Sequence, residues 1–210
     1  MVVAVDGPAG AGKSSIAKIV ASKLDLEYID SGAIYRSLTK KILDSGLKID
    51  DYTAIETILT TTELNIVNKK VFVNGLDYSL FIREKDVTDA VPVVSANPPV
   101  RSFVNGFLNK FFGDKPVIMD GRDIGTEVFP NADYKFYLDA SVEERARRRC
   151  DELGTKCQSF EEIKSSISKR DYNDMNRQIG PLKKADDAIY IDTTQLSIDE
   201  VVNKIIECIK

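Results

Sequence analysis

The nine residues Gly7, Pro8, Ala9, Gly10, Ala11, Gly12, Lys13, Ser14 and Ser15 carry the plainest chemistry in the chain. Glycines let backbone N–H groups turn inward around an anion without side-chain obstruction, and a helix opening at the end of the run adds its positive N-terminal end. Gly7-x4-Gly12-Lys13-Ser14 satisfies the phosphate-binding-loop pattern, in which the lysine spans the β- and γ-phosphates of a nucleoside triphosphate and the hydroxyl ligates Mg²⁺. All nine residues are expected to contact the triphosphate. The guanine-reading Asn/Thr-Lys-x-Asp of GTPases is absent, because Asn68-Lys69-Lys70 is followed by Val71 and Thr39-Lys40-Lys41 by Ile42.

Four further segments set arginines beside carboxylates or hydroxyls in what read as loop contexts: 30-DSGAIYR-36, 98-PPVR-101, 120-DGRDIGT-126 and 170-RDYNDMNR-177. A guanidinium fork holds phosphate or a base edge bidentately, so several forks imply a second, anionic ligand. Arg36 and Arg101 also read as solvated helix residues. Arg122 and Asp123 follow the apolar run Val117-Ile118-Met119, at the strand end where α/β folds bind ligands. Arg170, Asp174 and Arg177 have helical spacing, which equally describes a surface ladder of ion pairs. Asp120 ends its strand either as a Mg²⁺ partner acting through water or as a residue bonding the glycine loop.

These residues need elements to position them. Strand-like runs at Val2 to Asp6, Glu27 to Ile29, Pro116 to Asp120, Tyr134 to Asp139 and Ala188 to Asp192 alternate with helix-length segments, the signature of a parallel sheet covered on both faces. Ile198, Val201, Val202, Ile205, Ile206 and Ile209 mark a closing amphipathic helix. Leu64 to Tyr78 reads as a small hairpin inserted outside that sheet. Arg145 to Arg177 is a basic, mostly helical stretch.

Composition sets outer limits. The 210 residues, 43% hydrophobic and 30% charged, suit one core with insertions. No apolar run has the length of a transmembrane helix or signal peptide, so a cytoplasmic location is expected. Cys150, Cys157 and Cys208 lack zinc-finger spacing and read as reduced packing thiols. With no histidine, Ser-His-Asp and Cys-His nucleophiles and histidine-ligated zinc are excluded. The net charge of −4 argues against nucleic acid as the main partner.

Taken together, GPAGAGKSS, DSGAIYR, DGRDIGT, PNADYKFYLDASVEERARRR and RDYNDMNRQIGPLKKADDAIYIDTT resemble the bacterial cytidylate kinases along essentially the whole chain. The resemblance implies an α/β fold: a P-loop kinase-like, five-stranded parallel sheet flanked by helices, with a small antiparallel insert and a mobile helical lid. It implies a core of residues 1–30, 115–145 and 178–210, a monophosphate-binding domain of 31–114 with its insert at 62–84, and a lid of 146–177. The implied activity is transfer of the γ-phosphoryl of ATP, with Mg²⁺, to CMP or dCMP, without a covalent intermediate or general base.

By the same resemblance, Ser31, Arg36, Arg101, Arg122, Asp123, Arg170, Asp174 and Arg177 match acceptor-site positions. Arg36, Arg122 and Arg177 would surround the acceptor phosphate, and Asp174 with Arg170 would hold the ribose. Asp123 with Arg101 supply an acceptor and a donor for the cytosine edge. Lys13, Arg122 and Arg177 are the expected catalytic residues, and Ser14 and Asp120 the expected metal partners. Lid arginines among Arg145, Arg147, Arg148 and Arg149 would close over ATP.

The family's usual serine nine residues before Arg101 is here Pro92, so a hydroxyl contact to the pyrimidine must be lost or replaced, for instance by Ser95. The alternatives are a broader UMP/CMP kinase, a kinase for an alcohol such as shikimate, and a non-catalytic nucleotide sensor. A monomer is expected, with no membrane partner.

Overall fold

In the computed structural model of the chain, which describes residues 1–113, 115–157 and 159–209, the expected strand and helix alternation is present. In chain order the elements are β1 (Val2–Asp6), α1 (Lys13–Leu24), β2 (Glu27–Asp30), α2 (Ser31–Asp44), α3 (Tyr52–Leu59), β3 (Leu64–Val67), β4 (Lys70–Val73) and β5 (Leu76–Asp77). They continue with α4 (Lys85–Val94), α5 (Pro98–Phe112), β6 (Val117–Gly121), β7 (Tyr134–Asp139), α6 (Val142–Leu153), α7 (Phe160–Asn176), β8 (Ile189–Asp192) and α8 (Ile198–Ile209). A π-helical turn covers Ile124–Val128 and a 3-10 turn Gly154–Lys156. The chain divides into two units, Met1–Tyr28 with Asp114–Lys210, and Ile29–Gly113.

The first unit is built on the five-stranded sheet, in the order β2-β6-β1-β7-β8, to which it contributes Glu27 and Tyr28 of β2. β1 is central and parallel to both neighbours, with Val3 opposite Ile118 and Tyr134. A strand covered on both faces must be apolar throughout, and Val2, Val3, Ala4 and Val5 are. Val3, Val5, Ile16, Val20, Phe136, Leu138, Val202 and Ile205 share one buried cluster, so β1, β7, α1 and α8 form a continuous core. The strand ends at Asp6, beside Gly121 of β6 and Tyr137 of β7.

The second unit packs α2 to α5 with a three-stranded antiparallel sheet, β3-β4-β5. The expected hairpin is present and gains a third strand at Leu76–Asp77. Asn68 and Lys69 both have positive φ (51° and 64°), as do Asn74 and Gly75 (51° and 77°). Such pairs suit the two-residue turns whose twist matches antiparallel strands. Val100, Val104, Leu108 and Phe112 recur at every fourth residue on the buried face of α5.

Two expectations need correction. Three of the arginine segments read as loops are helical, because Asp30 and Asn97 cap α2 and α5 by accepting from the N–H groups of Ala33 and Val100, and α7 runs unbroken to Asn176. The cysteines are not three reduced packing thiols: Cys150 and Cys157 form a disulfide, with Cα atoms 5.1 Å apart, and Cys208 is exposed. Gly154, at φ 54°, turns the chain between the paired cysteines, a proximity their sequence spacing does not show.

Phe136 lies almost wholly buried in the first unit's core. Phe136→Ala is expected to lower stability by about 3–5 kcal/mol. In urea unfolding the midpoint should fall with an unchanged slope.

Candidate active site

The glycine loop leaves β1 where the backbone is crowded. A Cβ on Gly7, at φ 148°, would lie 1.9 Å from the carbonyl oxygen of Leu138, so no larger residue fits without moving β7. Lys13 is buried and its Nζ donates to the Pro8 carbonyl at 2.7 Å, folding back over the loop. Ser14 Oγ donates to Asp120 Oδ2 at 2.7 Å, and Tyr28 donates its hydroxyl to Asp120 Oδ1 at 2.7 Å. The strand-end carboxylate therefore bonds the glycine loop, one of the two roles open to it.

The Lys13 ammonium is held well below its ordinary pKa, first by burial and then by the charges of Arg122 and Arg170, against the opposing pull of Asp120 and Asp6. Arg122 and Arg170 thus act on the same region as the loop lysine. A polyanion is the ligand that relieves such crowding.

Arg122 lies at the carboxyl end of β6 and gives Nε to Asp174 Oδ2 at 2.8 Å. Arg177 gives Nη2 to Asp123 Oδ1 at 3.2 Å, lies 3.9 Å from Asp174 and donates Nε to the Gly180 carbonyl. The expected helical ladder is altered: Arg177 follows the last residue of α7 with extended dihedrals (φ −67°, ψ 145°) and turns away from the helix. Asp123 and Asp174 are buried, so these are not surface pairs. Charge-assisted hydrogen bonds of this kind are stronger than neutral ones and fix the guanidinium planes.

The four arginines of α6 separate by burial. Arg145 is buried and donates to the carbonyls of Ala140 (2.9 Å) and Ala9 (3.0 Å) and to Asp171 Oδ2 (2.6 Å), tying the glycine loop to α7. Arg148 donates to the Thr193 carbonyl at 2.6 Å and to Glu144 at 2.8 Å, and one of its Nη atoms is 3.8 Å from where a Cβ on Gly12 would be. Arg147 and Arg149 are exposed and pair with Glu144, Asp151 and Glu152.

In the second unit, Ser31 is buried at the first residue of α2. Arg36 donates to the Ile82 carbonyl at 3.1 Å and to Thr88 Oγ1 at 3.2 Å. Arg101 is buried, gives Nη1 to the Ser95 carbonyl at 3.3 Å, and holds its guanidinium 5.8 Å from the centre of the Tyr35 ring. Neither arginine is a freely solvated helix residue. Pro92 lies inside α4, where it removes a helical N–H, and Ser95 Oγ donates to the Pro92 carbonyl at 3.4 Å.

A sequence model of the cytidylate kinase family matches residues 3–210. The chain belongs to the cytidylate kinase family. It is 45% identical over 205 residues to the cytidylate kinase of Fusobacterium nucleatum, covering 97% of this chain and 94% of that one. It is 46% identical over 213 residues to that of a Geobacillus species, covering 99% and 95%. Among solved structures, an uncharacterized protein from Eubacterium ventriosum matches at TM-score 0.53 and 12% identity, covering 100% of this chain and 98% of that one. Shikimate kinase from Acinetobacter baumannii in complex with shikimate matches at 0.50 and 18%, covering 99% and 92%. These two likenesses concern the fold alone.

Motif and spacing mark no role for Asp6, Tyr28 or Thr193. Asp6 had a signal, being the one charged residue in an otherwise apolar buried strand. Tyr28 and Thr193 had none, since their partners Asp120 and Arg148 are distant in sequence.

The Arg145–Asp171 pair yields a direct test. Arg145→Met leaves a buried carboxylate without its cation and is expected to cost about 3–5 kcal/mol in urea unfolding. Replacing both partners, as Arg145→Met with Asp171→Leu, should recover much of that loss.

Proposed function

We propose that the chain transfers the γ-phosphoryl group of ATP to CMP or dCMP by direct in-line displacement, giving ADP and CDP or dCDP. The observation that carries the reading is geometric: buried Asp174 and Asp123 hold Arg122 and Arg177 after the end of β6, and buried Lys13 folds over the glycine loop that follows the neighbouring strand β1. Cations on the donor loop and cations following β6 and α7 are the groups that transfer between two phosphates requires. The acceptor phosphate is already an anionic nucleophile, so alignment and charge neutralisation suffice without a general base. A sensor needs only the donor half of this arrangement.

Gly7 to Ser15 cradle the donor phosphates, and Lys13, Arg122 and Arg177 stabilise the transferring group. Ser31 and Arg36 join in holding the acceptor phosphate, and Arg170 with Asp174 holds the ribose. Asp123 accepts from the cytosine amine while Arg101 donates to its O2 and N3. A carboxylate facing the O4 of uracil is repelled, which favours CMP over UMP. Residues 146–177 act as the lid, with Arg148 as its inward-facing arginine and Arg145, one residue before it, tying the glycine loop to α7, and closure excludes water from the transfer.

Ser14 and Asp120 offer hard oxygen donors, and among the described residues no group of three or more metal-ligating side chains occurs. That set fits Mg²⁺, which keeps waters and substrate phosphates in its shell. Bound with ATP, it would neutralise phosphate charge. No helix among the described residues is long and apolar enough to cross a membrane. A monomeric enzyme working in the cytoplasm accords with these readings.

Pro92 favours one second reading, a broader pyrimidine kinase. The test is coupled ADP release with Mg-ATP against CMP, dCMP, UMP, AMP and shikimate, beside a blank without acceptor. CMP and dCMP should turn over rapidly, UMP far more slowly, and the blank hardly at all. Lys13→Met should lower kcat on the order of 10²–10³-fold. Equal rates with UMP would favour the broader enzyme, in which case Pro92→Ser should restore a preference for CMP. Absence of turnover with every acceptor overturns the kinase reading.

A further inference from the structure

We infer that Asp6 is a positioning residue for the acceptor side: its carboxylate, at the end of β1, grips the backbone of Ile124 and Gly125 and so sets where Arg122 and Asp123 point. Asp6 is buried and immediately precedes the first glycine of the loop. Its Oδ1 accepts from the Ile124 N–H at 2.8 Å and its Oδ2 from the Gly125 N–H at 2.7 Å. Both oxygens are engaged by successive amides of the π-helical turn. The two residues before that turn are Arg122 and Asp123, so any shift of the gripped Ile124 amide reaches them within one or two residues of chain. The inference rests on the reading that Arg122 and Asp123 contact the acceptor.

The contact is built closely. A Cβ on Gly125 would lie 3.1 Å from Lys135 Cδ, closer than ordinary contact, and 3.4 Å from Asp6 Oδ2, at ordinary contact distance, so the Lys135 stem is what crowds this position. The groups bearing on Asp6 are Lys13 from α1, Asp123 from the loop after β6, and Tyr137 of β7, whose phenol is pushed up to about 12 by burial, with Asp139, Asp171 and Asp6 adding to it. The Lys135 stem also packs on this turn, with its ammonium bonded to Asp187 and the Pro130 carbonyl.

The carboxylate is kept against stability. Burial raises its pKa from 3.8 to about 6, outweighing the two amide hydrogen bonds and Lys13, with the Asp123 charge adding to the rise. An acid whose folded pKa is raised is stabilised on folding as the neutral form. Its contribution is most favourable below the unfolded value and declines as pH rises through about 6. Protonation below pH about 6 removes one of the two acceptor positions.

The experiment measures initial rates with CMP and ATP varied separately, between pH 5 and 8, for the wild type, Asp6→Asn, Gly125→Ala and Asp123→Asn, together with melting temperatures. Asp6→Asn presents an amide N–H to one of the two backbone N–H groups. It should raise KM for CMP or lower kcat/KM for CMP by roughly 10–100-fold, while ATP binding changes less than about threefold. Gly125→Ala crowds the Lys135 stem but keeps both amide N–H groups, and should show a smaller CMP defect than Asp6→Asn. Dividing the wild-type pH profile by that of Asp6→Asn cancels the ionisation of CMP itself, and the ratio should fall below pH about 6.

Unchanged CMP kinetics in Asp6→Asn, or equal losses for CMP and ATP with a lowered melting temperature, overturn the inference. If Asp123→Asn raises KM for CMP and Asp6→Asn does not, the inference alone fails. If Asp123→Asn leaves CMP kinetics untouched, the acceptor reading fails and the inference with it.

Discussion

A charge taken out of water must be matched by a partner, and the carboxyl end of this sheet is crowded with buried charges. Asp6, Lys13, Asp120, Asp123, Arg145, Asp171 and Asp174 are all buried. An unmatched ion in such surroundings costs several kcal/mol, so its partners are structural necessities. Asp6 takes two backbone amides, Asp120 two hydroxyls, Asp174 and Asp123 an arginine each, and Arg145 two carbonyls and a carboxylate. Those bonds connect β1, β2, β6, α6, α7 and the glycine loop. The loop is therefore a member of a network, and its shape is set from several sides at once.

That network is not electrically indifferent. Burial first, and then the guanidinium charges of Arg122 and Arg170, hold the Lys13 ammonium below its ordinary pKa, so cations crowd upon the lysine of the glycine loop. Binding a polyanion reverses the sign of that repulsion, so affinity for substrate and stability of the site are linked. The same logic explains why alignment can carry the catalysis. Transfer between two phosphates demands placement to within fractions of an ångström and charge at fixed points, both of which a paired and buried frame provides.

Much of this was legible from residue types alone. The parallel strands announced themselves because a doubly covered strand must be apolar, as Val2 to Val5 and Val117 to Met119 are, and the glycine loop has few other uses between a strand and a helix. What escaped reading depended on distance in sequence or on a face that only packing selects. Nothing in Arg145-Ala146-Arg147-Arg148-Arg149 tells which arginine turns toward Ala9 and Asp171 and which toward solvent. Arg177 kept helical spacing yet left the helix, because its side chain bonds Gly180 beyond the helix end. β5 is two residues long, too short for any period to show.

The two units divide the chemistry unequally. The frame of paired buried charges lies in Met1–Tyr28 and Asp114–Lys210. Arg36 and Arg101, set by α2 and α5, belong to Ile29–Gly113, as does Pro92. A substitution in the frame disturbs partners whose charges are buried, so few are tolerated. Pro92 sits in α4 with its carbonyl accepting from the Ser95 hydroxyl, while Arg101 bonds the Ser95 carbonyl, so a change at Pro92 removes no side-chain partner of a buried ion. Position 92 can therefore change while the pairs of buried charges stay intact.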